Sequence, residues 1–247
     1  MKKSRRRLDL LLVERGLASS EKEAQALVLA AQVKVDGALA QSAGAAVASD
    51  ARIELTVRSR YASRGGRKLE GALQDFSIDP RGLVCLDIGA STGGFTDCLL
   101  QHGAARVFAV DVNVSQLDWR LQHDPLVFPI KLNARELTSA QIPEPSALVV
   151  IDVSFISVCK ILPPAIACAA PNADFLILIK PQFELRRDDI PVGGIVTDPA
   201  LHQKAIAAVT TCAAAAGLEI QNVLPSRLTG AEGNQEFFLH ARKPLLK

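Results

Sequence analysis

Residues 83–100 read LVCLDIGASTGGFTDCLL, an apolar run, then an acid and a glycine-rich turn, then an apolar helix opening on two adjacent glycines. Gly89, Gly93 and Gly94 lack Cβ atoms, so the backbone can turn sharply out of a strand and approach a ligand with a helix N-terminus behind it. The order G-A-S-T-G-G differs from the dinucleotide pattern G-x-G-x-x-G, because Ser91 replaces the glycine that admits a pyrophosphate. The spacing therefore suits a phosphate-free nucleoside cofactor at Gly89, Ser91, Gly93 and Gly94. Downstream, the run VFAVDVN ends in Asp111, 22 positions after Gly89, where an acid commonly binds ribose hydroxyls. Asn133 closes a third run, LVFPIKL; its amide suits either an adenine edge or a turn.

Charge stands at the ends of two further runs. SALVVIDVSFIS ends its apolar stretch at Asp152, and ADFLILIKPQFE ends at Lys180. Each puts a charged side chain at the carboxyl end of an expected buried parallel strand, the edge at which open α/β sheets bind ligands. Lys68 is expected in the first turn of a short amphipathic helix from Arg67 to Phe76, after Gly65-Gly66, read as a helix break. The macrodipole opposes a cation there unless a nearby group wants its charge. Glu236 opens a last strand after a Gly/Asn turn, in GAEGNQEFFLHAR.

D-x-G-x-x-x-G-G-F resembles the S-adenosylmethionine loop of Rossmann-like methyltransferases, and the resemblance extends the candidate cofactor set to Asp87, Ala90, Thr92 and Phe95. Lys68, Asp152, Lys180 and Glu236 taken jointly resemble the Lys-Asp-Lys-Glu tetrad of ribose 2'-O-methyltransferases. Methyl transfer to a ribose hydroxyl is an in-line displacement that needs alignment and a proton acceptor. The resemblance implies Lys180 as base or hydroxyl orienter, Asp152 as its partner, and Lys68 and Glu236 as positioning groups.

The elements that must position these groups divide by charge. Residues 1–68 hold 14 Lys and Arg against 7 Asp and Glu, a net +7, whereas the remainder carries −5. Such asymmetry suggests a polyanionic partner for the basic segment. Its pattern predicts a first helix ending at Gly16, a second started by the capping box Ser20-x-x-Glu23, a hairpin turning at Asp36-Gly37, and a strand in RIELTV. LVERGLASSEKEAQALVLAAQVKVDG resembles the RNA-binding module of the ribosomal S-four type, over residues 6–58. Its candidate RNA contacts are Arg5, Arg6, Arg7, Arg15, Lys22 and Lys34.

The resulting expectation is an α/β chain: a small RNA-binding domain over 1–58, a linker over 59–66, and a seven-stranded Rossmann-like, FtsJ-like methyltransferase sheet within 67–247. The last two strands, near 219–225 and 235–242, should form an antiparallel hairpin. The apolar runs are strand-length and broken by Asp152 or prolines, which excludes a spanning helix, and LDLLLVERGL carries Asp9, Glu14 and Arg15 where a secretory signal needs an unbroken apolar core. A cytoplasmic protein is expected. Five cysteines without C-x-x-C spacing read as reduced core residues, and four scattered histidines give no metal site.

The ordered set SRGGRKL, DIGASTGGFTD, NAREL, DVSFIS, IKPQFE and GNQEFFL, behind the RNA-binding module, resembles the TlyA family, known both as hemolysin A and as rRNA 2'-O-methyltransferase. Membership implies methylation of a cytidine ribose, with ribosomal RNA or ribosomal subunits as partner. The chain departs from the family at 113–119, where NVSQLDW replaces Y-G-Q-L-A-W, and in the loop RRDDIPVGG. The alternatives are a membrane-perturbing hemolysin and an RNA-binding protein with an inactive methyltransferase domain.

Overall fold

The computed structural model describes residues 4–55 and 60–245 and separates into two compact units, Met1–Ser59 and Arg60–Lys247. The ends of the expected 1–58 domain and the first residue of the expected linker lie outside the described residues. In the smaller unit, β1 (Arg5–Arg7) leads straight into α1 (Leu8–Glu14), followed by α2 (Glu21–Leu29), β2 (Val33–Val35), β3 (Ala38–Leu39), β4 (Ala46–Ala48) and β5 (Ile53–Leu55). β1 pairs with β4, while β2 is flanked by β3 and β5. Leu8, Leu12, Ala24, Val28 and Val33 form its core. Asp36 and Gly37, at φ 51° and 84°, make the hairpin turn between β2 and β3. Ser20 Oγ accepts from Glu23 N over 3.3 Å, but Glu23 reaches back to Ser19 N at 2.7 Å, one residue earlier than a capping box predicts.

The larger unit opens with α3 (Arg64–Asp75), β6 (Val84–Ile88), α4 (Gly94–Gln101), β7 (Arg106–Asp111), α5 (Trp119–Gln122), β8 (Val127–Lys131) and β9 (Ser146–Ile151). It continues through α6 (Leu162–Cys168), β10 (Ala169–Ile179), α7 (Pro181–Glu184), α8 (Pro199–Ala215), β11 (Glu219–Pro225) and β12 (Phe237–Arg242). Its seven-stranded sheet runs β11-β12-β10-β9-β6-β7-β8. β10, β9, β6, β7 and β8 are parallel, and β12 pairs antiparallel with β10 and β11, which forms the expected hairpin.

Alternation of side chains divides each inner strand between two cores. Leu86, Ile88, Val149, Ile151, Phe175 and Ile177 lie in one, whereas Cys85, Leu148, Val150, Leu176 and Leu178 lie in the other with Leu69, Leu73 and Phe95 of the helices. Burial on both faces explains why these strands read as unbroken apolar runs. Pro129 sits in β8, an edge strand, where a missing N–H is tolerated.

One expected boundary is wrong. The helix carrying Lys68 begins at Arg64, so Gly65 and Gly66 form its first turn and break nothing, and Lys68 lies in the second turn. The glycines are there for close approach: a Cβ on Gly66 would collide with the Tyr61 ring and come within 2.7 Å of Gly94 O. The chain leaves β6 toward β7 on one side and returns to β9 on the other, so the switch point of the sheet lies between the carboxyl ends of β6 and β9.

Candidate active site

At that switch point the turn after β6 holds three left-handed residues, Gly89 (φ 89°), Ser91 (φ 48°) and Gly93 (φ 92°). A Cβ on Gly89 would strike the Asp152 carbonyl oxygen, and one on Gly93 would strike Leu117 and Leu121. Glycine is therefore demanded by both conformation and space. Ser91 tolerates its backbone because its N–H donates to Asp111 Oδ2 at 2.9 Å, while Asp111 Oδ1 accepts from Asn113 N at 2.9 Å. Asp111 thus ties the turn after β6 to the end of β7.

Asp87 lies fully buried beneath the turn, accepting a hydrogen bond from Thr96 Oγ1 at 2.6 Å. Burial pushes its carboxyl up to about 7, against the Thr96 bond and with help from the charges of Asp152 and Asp111. The other oxygen, Oδ1, has no hydrogen-bond partner among the described residues.

Two cavities flank Gly89, Ser91 and Asp152. One, of about 170 Å³, is lined also by Ala90, Thr92, Gly94, Phe95 and Lys68. The other, of about 400 Å³, is lined by Asp111 and Asn133 together with apolar Val112, Leu132 and Ile156. Eight of the ten sequence-predicted cofactor residues border this cleft. Asp87 and Gly93 do not, since one is buried beneath it and the other packs on Leu117 and Leu121. Asn133 also acts as a turn former, accepting from Arg135 N at 3.2 Å. A tightly packed glycine turn, where a Cβ on Gly89 would strike Asp152 and one on Gly94 would strike Ser63, lies beside an acid and an apolar slot and fits a nucleoside bearing an amino acid arm.

Sequence reasoning missed Ser63, Arg64 and Gly65, which line the smaller cavity, and Val112, Ser154 and Phe155, which line the larger. SRGG directly before Lys68 was a usable signal for the first three. The others lie in loop stretches without periodicity.

The four charged residues form two ion pairs. Lys68 Nζ lies 2.5 Å from Glu236 Oε2, and Lys180 Nζ lies 2.6 Å from Asp152 Oδ1. Lys68, Lys180 and Glu236 are buried, and Asp152 is partly open to the cleft. Lys180 follows β10 immediately, and Asp152 follows β9, its parallel neighbour. Glu236 precedes β12 and reaches across the sheet edge to α3. Gly230 makes room for it, since a Cβ there would come within 2.7 Å of Glu236 Oε1. Lys180 Nζ also donates to Ser154 Oγ at 2.8 Å. The arrangement can orient a hydroxyl and hold its proton.

In the smaller unit Arg5, Arg6, Arg7, Arg15 and Lys22 are exposed and Lys34 is half-buried. Several are already engaged. Arg6 pairs with Glu14 at 2.5 Å, and Arg7 grips buried Asp9 through Nε and Nη2 at 3.1 and 2.6 Å. That bond, against the effect of burial, holds the Asp9 carboxyl down at about 2. Arg15 donates to the carbonyls of Ala51 and Ser49 at 2.7 and 2.6 Å, so it fastens that turn. Among the described residues no cluster of His, Cys, Asp and Glu is grouped to hold a metal ion, and no helix is long and apolar enough to cross a membrane.

Comparison with known proteins gives two family matches, an FtsJ-like methyltransferase over residues 61–243 and an S4 domain over residues 6–53. The chain is 44% identical over 241 residues to the 16S/23S rRNA (cytidine-2'-O)-methyltransferase TlyA of Mycobacterium tuberculosis, covering 96% of this chain and 90% of that one. It is 40% identical to Hemolysin A of Brachyspira hyodysenteriae, covering 95% and 98% of the two chains. Among solved structures, a Streptococcus thermophilus protein called a hemolysin superposes with a TM-score of 0.75 at 35% identity, covering 98% of this chain and 90% of that one.

Proposed function

The chain belongs to the TlyA family of FtsJ-like methyltransferases, and from that premise we propose that it methylates the ribose 2'-hydroxyl of a cytidine in ribosomal RNA, using S-adenosylmethionine. The observation that carries the reading is the meeting of two buried or half-buried Lys–acid pairs at the carboxyl edge of the sheet, against the glycine cleft. When bound, S-adenosylmethionine supplies an electrophilic methyl group on a sulfonium.

The chain's own residues do the rest. Gly89 to Gly94 admit the amino acid arm, Asp111 takes the ribose hydroxyls, and Asn133 lies toward the adenine. Lys180, held by Asp152, faces the target hydroxyl and takes or orients its proton. Lys68 and Glu236 position the ribose beside it. The S4 domain brings structured RNA to the site through its basic surface, with phosphate contacts that position the substrate without reading its sequence. Such a substrate places the enzyme in the cytoplasm.

Mapping 2'-O-methylated riboses in ribosomal RNA from cells with and without the protein tests the reading. A cytidine methylated only in its presence is expected, and an unchanged map overturns it. Calorimetry tests the cofactor separately: Asp111→Ala should weaken S-adenosylmethionine binding about tenfold or more, about 1.4 kcal/mol per tenfold. Binding of a nicotinamide dinucleotide instead would sink the assignment.

A further inference from the structure

Lys180 has a neighbour outside the four-residue set. Its Nζ donates to Ser154 Oγ at 2.8 Å while lying 2.6 Å from Asp152 Oδ1. The parallel pairing of β10 and β9 ends at Ile177 and Ile151, so the segments that carry Lys180 and Ser154 leave the sheet side by side. Ser154 is exposed and lines the larger cavity, whereas Lys180 is buried behind it.

A lysine nitrogen is tetrahedral, and after its bond to Cε three directions remain. With the ammonium all three are donors; with the neutral amine two are donors and one is a lone pair. The Ser154 hydroxyl accepts one of these hydrogens, while Asp152 stands beside the group as a charge, since its Oδ1, 2.6 Å away, makes no hydrogen bond among the described residues. The accepted hydrogen and the ion pair together set the rotation about Cε–Nζ and leave a direction for the substrate.

Resting on the function proposed above, we propose that Ser154 is a positioning residue for the transfer step. Together with Asp152, its hydroxyl fixes the Lys180 amine so that the remaining direction faces the substrate 2'-hydroxyl. The surrounding backbone holds Ser154 there without help from the hydrogen bond. Phe155 sits at φ 64°, a conformation that costs a bulky residue on the order of 1–3 kcal/mol, and its ring packs on Phe183 with centroids 5.1 Å apart. Glu184 adds a second tie, accepting from Ser157 Oγ at 2.6 Å and Val158 N at 2.9 Å. The segments 152–158 and 180–184 are thus clasped independently of the Ser154 hydroxyl, and removing that hydroxyl should leave the loop in place.

The test is single-turnover methyl transfer by the full chain, with saturating S-adenosylmethionine and ribosomal RNA, for wild type, Ser154→Ala and Ser154→Thr. Ser154→Ala should slow transfer by about tenfold to a hundredfold, the range expected for a misaligned catalytic group. The KM for RNA and the calorimetric cofactor affinity should stay within about twofold. Ser154→Thr keeps the hydroxyl and should recover the rate to within a few-fold, with a pH profile that overlays wild type while that of Ser154→Ala does not. An unimpaired Ser154→Ala enzyme beside an active wild type overturns the role of Ser154 alone. So does a Ser154→Thr enzyme as slow as Ser154→Ala, or a loss confined to KM. A wild type that places no methyl on ribose overturns the functional reading and this inference with it.

Discussion

Lys68 and Glu236 meet at 2.5 Å although 168 residues separate them, and both are buried. Desolvating two charges is expensive, and their attraction in a low-dielectric site offsets much of that cost only while both are present. Glu236→Gln should therefore destabilise the larger unit by about 3–5 kcal/mol, because it leaves the Lys68 ammonium unpaired. Replacing both, with Lys68→Met and Glu236→Leu, should restore most of the loss. Urea unfolding of the three variants checks this. A Glu236→Gln protein as stable as wild type would show that Lys68 finds another partner.

Asp87 makes stability depend on pH. Burial raises its carboxyl from 3.8 to about 7, so between those values the folded protein holds a proton that the unfolded chain has released. Its contribution is full below pH 4, falls as the pH rises through 7, and then stays low. The whole span is on the order of 4 kcal/mol at most. Asp87→Asn, which keeps an acceptor for the Thr96 hydroxyl, should be more stable than wild type at pH 8 and lose that advantage by pH 5. Urea midpoints at the two values decide. A gap that does not change with pH would mean that Asp87 stays ionised throughout.

Legibility in the sequence followed burial. The strands β6, β7, β9 and β10 are covered on both faces, so each reads as an apolar run, and the charges just beyond two of them, Asp152 and Lys180, mark the ligand edge. The resemblance supplied Asp152 as the partner of Lys180, but nothing in the sequence paired Lys68 with Glu236. That Lys68 takes Glu236 and Lys180 takes Asp152 depends on strand order, above all on β12 lying beside β10. The start of α3 was misread because the reason for Gly65-Gly66 is three-dimensional, the Tyr61 ring and the Gly94 backbone pressing on it. β1 escaped notice since Arg5–Arg7 shows no apolar alternation; it is a strand only through its pairing with β4. Ser154 carries no pattern at all, and its contact with Lys180 comes from the side-by-side exit of the chain from β9 and β10.

The division of labour between the units follows from the +7 charge of residues 1–68 and from the separate core of the smaller unit. Deleting residues 1–58 should abolish methylation of ribosomal RNA while leaving cofactor affinity nearly unchanged, since every residue lining the cleft belongs to the larger unit. RNA affinity of the whole chain should fall steeply with salt, by about 0.7–0.9 in the logarithmic slope per phosphate neutralised. Filter binding across salt and a methylation assay of the truncated chain measure both. A truncated protein that methylates at the full rate would refute the division.

Lys180 decides between two kinds of chemistry at the same atom. Its Nζ stands between Asp152 Oδ1 and Ser154 Oγ, at 2.6 and 2.8 Å, with Phe183 as a further neighbour, so the group is fixed in place. If the amine accepts the proton of the 2'-hydroxyl, Lys180→Ala should lose nearly all transfer, at least about a hundredfold, in line with the usual worth of a positioned acid or base. Both ligands should still bind. Lys180→Arg should fail equally, because a guanidinium keeps the charge but accepts no proton at any accessible pH, and its planar fork does not reproduce a tetrahedral amine. Asp152→Ala should lose a comparable factor, since groups acting as one unit are not additive and removing either costs nearly the whole effect. Single-turnover rates across pH separate the cases. Near-normal transfer by Lys180→Arg reduces Lys180 to a positioning charge, and near-normal transfer by Lys180→Ala removes the four-residue site from the mechanism.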